Sequence, residues 1–274
     1  MDIIEQKRKA KMSWLTRYPY DCRTLWVIGY PRSGTTFIAR VFGDALQCPV
    51  FSLDEVSDQS DEIVTGKQHI ESPFIVRRAH YTSPDYKDDN PYGPLPFKRN
   101  RGSKIVFVVR DPRDLVLSCH KYQGFTFDQN DNGLEKAARQ MCGLEDRVAP
   151  IGVWRGKDRP GWAGYVGDWL DTVIDGIIRP GVLRYRDATA SDGDHMFAMA
   201  LRKSLFGSPD SQVFEEALAN NTVEAWEARS DPALKFKRKT GVGHYKDDLP
   251  KHLQDMIVNE CGDVMERLGY KIDE

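Results

Sequence analysis

The stretch Gly29-Tyr-Pro-Arg-Ser-Gly-Thr-Thr36 constrains this chain more than any other. It follows Thr24-Leu-Trp-Val-Ile-Gly29, a continuous apolar run rich in β-branched and aromatic residues. Such a run, without polar alternation, reads as a strand buried on both faces. Residues 35–46 then place Phe37, Ile38, Val41, Phe42 and Ala45 at helical spacing. The order is strand, glycine turn, helix. A glycine-bearing turn exposes successive backbone N–H groups, and the helix N-terminus adds partial positive charge, so the position suits an anion. The spacing matches the phosphate-loop pattern G-x-x-x-x-G-K-[ST], except that Thr35 stands where lysine belongs. A kinase or NTPase needs that lysine on the β- and γ-phosphates, together with Mg²⁺. Here the guanidinium of Arg32 and the hydroxyls of Ser33, Thr35 and Thr36 are offered instead, around the turn residue Gly34.

The same grammar continues downstream. Pro73-Phe-Ile-Val-Arg77 and residues 104–109 read as further strands, with a short one at 181–184. Helical patterns run over 113–121, 134–146, 162–177, 194–206, 211–228 and 250–268. Strands alternating with helices imply βαβ units and a parallel sheet. The expected fold is a single α/β domain over residues 24–274, a P-loop-type central parallel β-sheet flanked by helices. Residues 1–23 are expected to be a leader segment with a short basic helix and a Tyr-Pro-Tyr turn.

Charge and cysteine usage narrow the function. The 39 Lys+Arg nearly balance 41 Asp+Glu, for a net charge of -2. A general nucleic-acid binder needs a large cationic excess, so nucleic acid is not an expected partner. The five cysteines are scattered, never in a CxxC pair, which predicts neither a disulfide frame nor a zinc site and suits a reduced, cytoplasmic chain. Residues 1–14 lack the apolar stretch of a secretory signal, and runs such as 104–110 are too short to span a bilayer, so no membrane partner is expected.

With these motifs assembled, the chain resembles the PAPS-dependent sulfotransferases of the cytosolic type. Their loop Tyr-Pro-Lys-Ser-Gly-Thr-Thr is matched by Tyr30-Pro-Arg-Ser-Gly-Thr-Thr36. Their strand leading into Arg-Asn-Pro-Lys-Asp, then a helix with serine, is matched by Val108-Val-Arg-Asp-Pro-Arg-Asp114 followed by Ser118. Their C-terminal Arg-Lys-Gly-x-x-Gly is matched by Arg238-Lys239-Thr240-Gly241-Val242-Gly243. Trp162, Val166 and Trp169 fit the family's tryptophan-bearing helix, and Tyr185-Arg-Asp187 its Tyr-Glu-Asp segment.

The resemblance implies PAPS as cofactor, PAP as product and no metal. PAPS carries a 5'-phosphosulfate and a 3'-phosphate, so two separated anion holes are expected. The first is the loop 32–36; the second combines Arg110, Ser118 and the Arg238-Lys239 pair, with Thr240 beside them. Arginine forks and hydroxyl donors suit phosphate oxygens. By alignment with the family, Phe37, Thr222 and Val223 line the adenine pocket and Tyr185 meets the base edge. Read alone, Arg110 is an ordinary strand-end charge and 235–239 a solvated basic run; read with the loop, they form a site.

Sulfuryl transfer needs a base for the acceptor proton and positive charge at the leaving oxygen. His80, at the carboxyl end of the strand 73–77, has the ordinary pKa for the first task and the place where α/β sheets hold ligands. Its setting resembles the family's Lys-Thr-His, with Arg78 at the lysine position. His80 is therefore the expected general base, Arg32 and Arg78 the stabilisers of the leaving oxygen, and Glu71 the reserve base.

Departures from the family are Arg32 for lysine, Thr240 for glycine, and Gly243-His-Tyr-Lys246 for Gly-Asp-Trp-Lys. The C-terminal dimer motif is not recognisable. The expected acceptor is a small-molecule hydroxyl or amine. The acidic run 51–62, with Asp54, Glu55, Asp58, Asp61 and Glu62, suits a cationic acceptor or is simply a solvated loop. The loop 81–97 offers Tyr81, Tyr86, Tyr92 and Phe97 as a cover for a ring system, or as packed aromatics. The competing functions are a P-loop nucleotide kinase or NTPase, and a non-catalytic PAP-binding module.

Overall fold

A computed structural model describes residues 23–48, 50–53, 74–79, 104–120, 131–144, 161–171, 180–203, 211–228 and 242–272. Its strands are β1 Arg23–Gly29, β2 Val50–Leu53, β3 Phe74–Ala79, β4 Lys104–Val109 and β5 Gly181–Arg184. They form a sheet of order β2-β3-β1-β4-β5, and every neighbouring pair is parallel. The expected parallel α/β architecture is what is seen. Strand β2 is an addition: residues 50–53, assigned in part to an acidic loop, form an edge strand on β3. Its four residues are too few for a periodic pattern to be read.

Helices cover both faces. The helices are α1 Thr35–Ala45, α2 Pro112–His120, α3 Asp131–Met141, α4 Trp162–Asp171, α5 Tyr185–Ala188 and α6 Gly193–Lys203, then α7 Gln212–Asn220, α8 Val223–Ala228, α9 Tyr245–Asp248 and α10 Lys251–Arg267. Strand β1 serves two cores at once, which explains its unbroken hydrophobicity. Trp26 and Ile28 enter a cluster with Phe107 of β4 and the inner faces of α2, α3, α4 and α10. Leu25 and Val27 enter a second cluster, with Val106 and Val108, built on α1, α6 and α7. The result is three layers, helix–sheet–helix. Among the described residues no helix is long and apolar enough to cross a membrane.

Trp169 illustrates how the first layer is held. It is fully buried and its ring stacks on Phe107 at 5.4 Å between centroids. Trp169→Ala is expected to lower the free energy of unfolding by about 3–5 kcal/mol, through lost transfer energy and the cavity left behind. Urea denaturation measures it, and an unchanged midpoint would mean that this ring carries no packing energy.

One expected helix is two. The pattern over 211–228 divides at Asn221-Thr222 into α7 and α8. Asn221 donates to Asp44 Oδ2 at 2.6 Å and to the Ala217 carbonyl at 2.8 Å, and it accepts from Trp226 Nε1 at 3.2 Å. Thr222 then caps α8, its hydroxyl accepting from Ala225 N at 3.1 Å. Short polar side chains compete with the helical ladder in this way and favour caps.

Candidate functional site

The site lies where the strand order changes direction. From β1 the chain passes to β2 and β3 on one side, and β4 and β5 lie on the other. The register sets Gly29 beside Val108, Ile28 beside Ala79 and Val109 beside Arg184, so the turns after these strands emerge on one edge. Ligands of open α/β sheets bind in the crevice at such a switch point.

The turn after β1 is held open by its backbone. Arg32 has φ 71 and Gly34 φ 92, two left-handed residues bracketing Ser33. Ser33 is wholly buried; its N–H donates to the Tyr30 carbonyl at 3.0 Å and its hydroxyl to the same oxygen at 2.5 Å. The hydroxyl that the sequence offers to a ligand is thus engaged in bracing the turn. Gly34, at the N-cap of α1, has no side chain to cap it, and the helix's first N–H groups follow directly. Thr35 is buried against Gly29, where a Cβ would meet its methyl at 2.9 Å and the Val108 carbonyl at 2.6 Å. Thr36 is half-buried beside it. A non-glycine residue held left-handed, as Arg32 is, is uncommon and marks functional turns.

Across β4 the second set of residues assembles. Asp111 caps α2, accepting from Arg113 N at 2.9 Å, and Pro112 takes the first helical position, where its missing N–H costs nothing. Arg110 Nη1 donates to the Arg32 carbonyl at 3.4 Å, and its guanidinium lies 4.9 Å from the centre of the Tyr185 ring. Ser118 Oγ accepts from Arg32 Nε at 3.4 Å. Arg32 thus links the turn after β1 to Arg110 and Ser118, two of the residues expected at the second anion hole. Tyr185 lies against the turn as well, since a Cβ on Gly34 would strike its ring at 2.4 Å. Phe37 meets Tyr185 edge-on at 6.2 Å.

Electrostatics follow from this crowding. Burial pushes the Tyr185 phenol up, partly offset by Arg110, so it stays protonated at neutral pH. Burial pushes the Cys119 thiol up to about 12, against the opposing pull of Arg32 and Arg110. That thiol is inert. Asp114 is also raised by burial, with the N–H groups of Gly243 and Tyr245 and the charge of Arg110 pulling it down.

Other expected residues lie further off or outside the described set. Thr222 is exposed and occupied as a cap, Val223 is half-buried, and α8 is joined to α1 by Trp226 stacked on Arg40 at 4.7 Å, one turn beyond Phe37. Arg78 is half-buried on β3, its Cα paired with Val27. His80, Glu71, Arg238, Lys239, Thr240, the acidic residues 54–62 and the aromatic loop 81–97 lie outside the described residues. Among the described residues no group of His, Cys, Asp and Glu is placed to hold a metal.

The motif at 108–114 contained Asp111, Arg113 and Asp114, but the sequence assigned them no role. Arg113 forks onto Asp111, with Nε to Oδ1 at 3.0 Å and Nη2 to Oδ2 at 2.8 Å, and lies 3.9 Å from the centre of the Tyr245 ring. Asp114 accepts from the backbone of Gly243 and Tyr245. The available signal was spacing: Asp114 and Ser118 are four apart and share a helix face.

Comparison with known proteins bears on the family and the fold. The sulfotransferase domain model matches residues 23–165. Sulfotransferase 4A1 of Homo sapiens and of Mus musculus are each 28% identical over 125 residues, 42% of this chain and 40% of their own length. The chain thus spans about two fifths of these relatives. Mouse sulfotransferase SULT7A1 complexed with PAP superposes with a TM-score of 0.59 at 14% identity, covering 92% of this chain and 89% of that one. Retinol dehydratase in complex with androsterone and inactive cofactor PAP gives 0.54 at 14% identity, covering 94% and 86%. These likenesses establish a shared fold.

Proposed function

The chain belongs to the sulfotransferase-domain family, and on that premise we propose that it is an enzyme transferring a sulfuryl group from PAPS to a hydroxyl or amine of a small molecule. The observation that carries this reading is the meeting of Arg32, Ser118, Arg110 and Tyr185 around a left-handed turn at the sheet's switch point. Two guanidines, a helix N-terminus behind a glycine and a buried aromatic ring suit a nucleotide bearing two anionic groups.

PAPS, when bound, supplies an activated sulfuryl group and PAP as its leaving group. The chain's own tasks are to bind, align and move a proton. The turn 32–36 and the α1 N-terminus receive the phosphosulfate end. Arg110 and Ser118, with Arg238, Lys239 and Thr240, receive the 3'-phosphate. Phe37, Thr222 and Val223 line the base and Tyr185 meets its edge. His80, directly after Ala79 at the carboxyl edge of β3, takes the acceptor proton, and Arg32 and Arg78 stabilise charge at the leaving oxygen. Asp54, Glu55, Asp58, Asp61 and Glu62 favour a cationic acceptor by their potential. No metal is required, and the scattered cysteines favour a cytoplasmic setting.

PAP is expected to raise the melting temperature without Mg²⁺, while ATP with Mg²⁺ leaves it nearly unchanged. The reverse preference would favour a nucleotide kinase, consistent with the loop spacing but not with Thr35 in the lysine position. Labelled PAPS offered with a panel of cationic amines and neutral alcohols tests the acceptor. Equal use of neutral phenols would remove the cationic idea alone.

A further inference from the structure

The end of α10 is closed by its own backbone and then gripped from outside. Gly269 is left-handed, φ 69; its N–H donates to the Glu266 carbonyl at 2.8 Å, and the Tyr270 N–H to the Met265 carbonyl at 2.9 Å. A helix that ends on such a glycine satisfies part of its own last turn. The next carbonyls are taken by three arginines from other elements. Arg184 Nη1 donates to Leu268 at 2.8 Å, Arg186 Nη2 to Gly269 at 2.7 Å, and Arg113 Nη2 to Lys271 at 2.9 Å. The Arg186 guanidinium also lies 4.7 Å from the centre of the buried Tyr270 ring. The partial negative charge at a helix C-terminus favours cations there. Residues 268–271 thus form a strap, fastened once to α2 and twice at the junction of β5 and α5.

Both fastenings adjoin residues of the candidate site. Arg113 is forked onto Asp111, the neighbour of Arg110. Arg184 directly precedes Tyr185, is bound as well to Asp187, and lies in register with Val109, which precedes Arg110. Arg110 and Tyr185 touch, with 4.9 Å from guanidinium to ring centre, and Tyr185 lies against Gly34. Sheet pairing fixes where β4 and β5 end, but not how the residues beyond them turn. The strap ties those two turns to each other.

We infer that Arg184 is a positioning residue for the donor: it seats residues 268–271 across the ends of β4 and β5, so that Arg110 and Tyr185 keep the mutual orientation that receives it. The inference rests on the proposed donor reading. Without the guanidinium, the Leu268 carbonyl loses its donor and Asp187 is left with Arg186 at 3.6 Å. The turn that carries Tyr185 is then no longer fixed by Arg184 to the end of α10.

Calorimetry with PAP, run well below the melting temperature of each protein, tests this on wild type, Arg184→Met, Arg184→Lys and Trp169→Ala. Arg184→Met keeps the aliphatic stem and removes the donors. It is expected to weaken PAP by roughly 10- to 100-fold, the range for removing an outer partner of a ligand-holding group. Arg184→Lys, with an ammonium for the Leu268 carbonyl, falls between. Trp169→Ala is destabilised through the core and is expected to bind PAP as wild type does, which separates positioning from fold stability. Gly269→Ala serves if Arg184→Met does not fold, since its Cβ would fall 2.9 Å from Arg184 Nη1 and displace the same contact. PAP affinity unchanged in the strap variants, or lost equally in Trp169→Ala, overturns the positioning role, while PAP binding by wild type upholds the donor reading. A wild type that binds no PAP overturns both.

Discussion

Replacing Gly34 by alanine is expected to cost the chain most of its grip on PAP. A left-handed backbone disfavours a side chain by roughly 1–2 kcal/mol, which alone approaches tenfold in affinity. The added Cβ would also fall 2.4 Å from Cδ2 and 2.5 Å from Cε2 of Tyr185. That ring cannot simply swing aside, because Phe37 meets its edge and Arg110 covers its face. The turn would have to move, and with it the carbonyl of Arg32 that Arg110 holds. Gly243→Ala is the contrast: φ is 85 there too, but a Cβ meets none of the described residues within 4 Å. Calorimetry with 5'-AMP, which lacks the 3'-phosphate, should therefore rank Gly34→Ala well below Gly243→Ala. Equal 5'-AMP affinity in the two variants would mean that contact with Tyr185 does not shape the turn.

His80→Ala is expected to lower turnover by roughly 10²–10⁴, the usual contribution of a positioned general base, with PAP affinity retained. The split matters. A base acts on the acceptor proton and does not touch the 3'-phosphate, so binding and chemistry separate. Single-turnover transfer from labelled PAPS, beside calorimetry, reads both. Turnover that survives the substitution assigns the proton to another group, and Glu71→Gln then discriminates. A protein in which neither change matters while PAP still binds would be a nucleotide-binding module without chemistry.

What could be read from residue order was local. Strand β1 and helix α1 follow directly from one unbroken apolar run and one amphipathic stretch, and their observed bounds, Arg23–Gly29 and Thr35–Ala45, differ from the expected ones by a residue. The turn between them was legible as a turn because glycine at 34 and a helix start are both short-range signals. The break at Asn221-Thr222 was visible only as polar residues inside a helical pattern; Asp44, which Asn221 meets, lies 177 residues away. Ser33 was legible as a hydroxyl but not as an occupied one, since its partner is a backbone carbonyl of the turn itself.

Local chemistry alone thus determined the alternation of strands and helices, the parallel sheet, and a phosphate-type turn lacking its lysine. Tertiary structure decided which distant groups share that turn: Arg32 with Ser118, 86 residues on, and Asp114 with Gly243, 129 residues on. The physical reason lies in the sheet. Placing β4 beside β1, in a register that aligns Gly29 with Val108, brings the two strand ends to one edge, and hydrophobic burial on both faces holds them there. Periodicity specifies which residues must be buried but not which strand lies next to which, so the neighbours of a polar residue at a strand end depend on the packing of the whole domain.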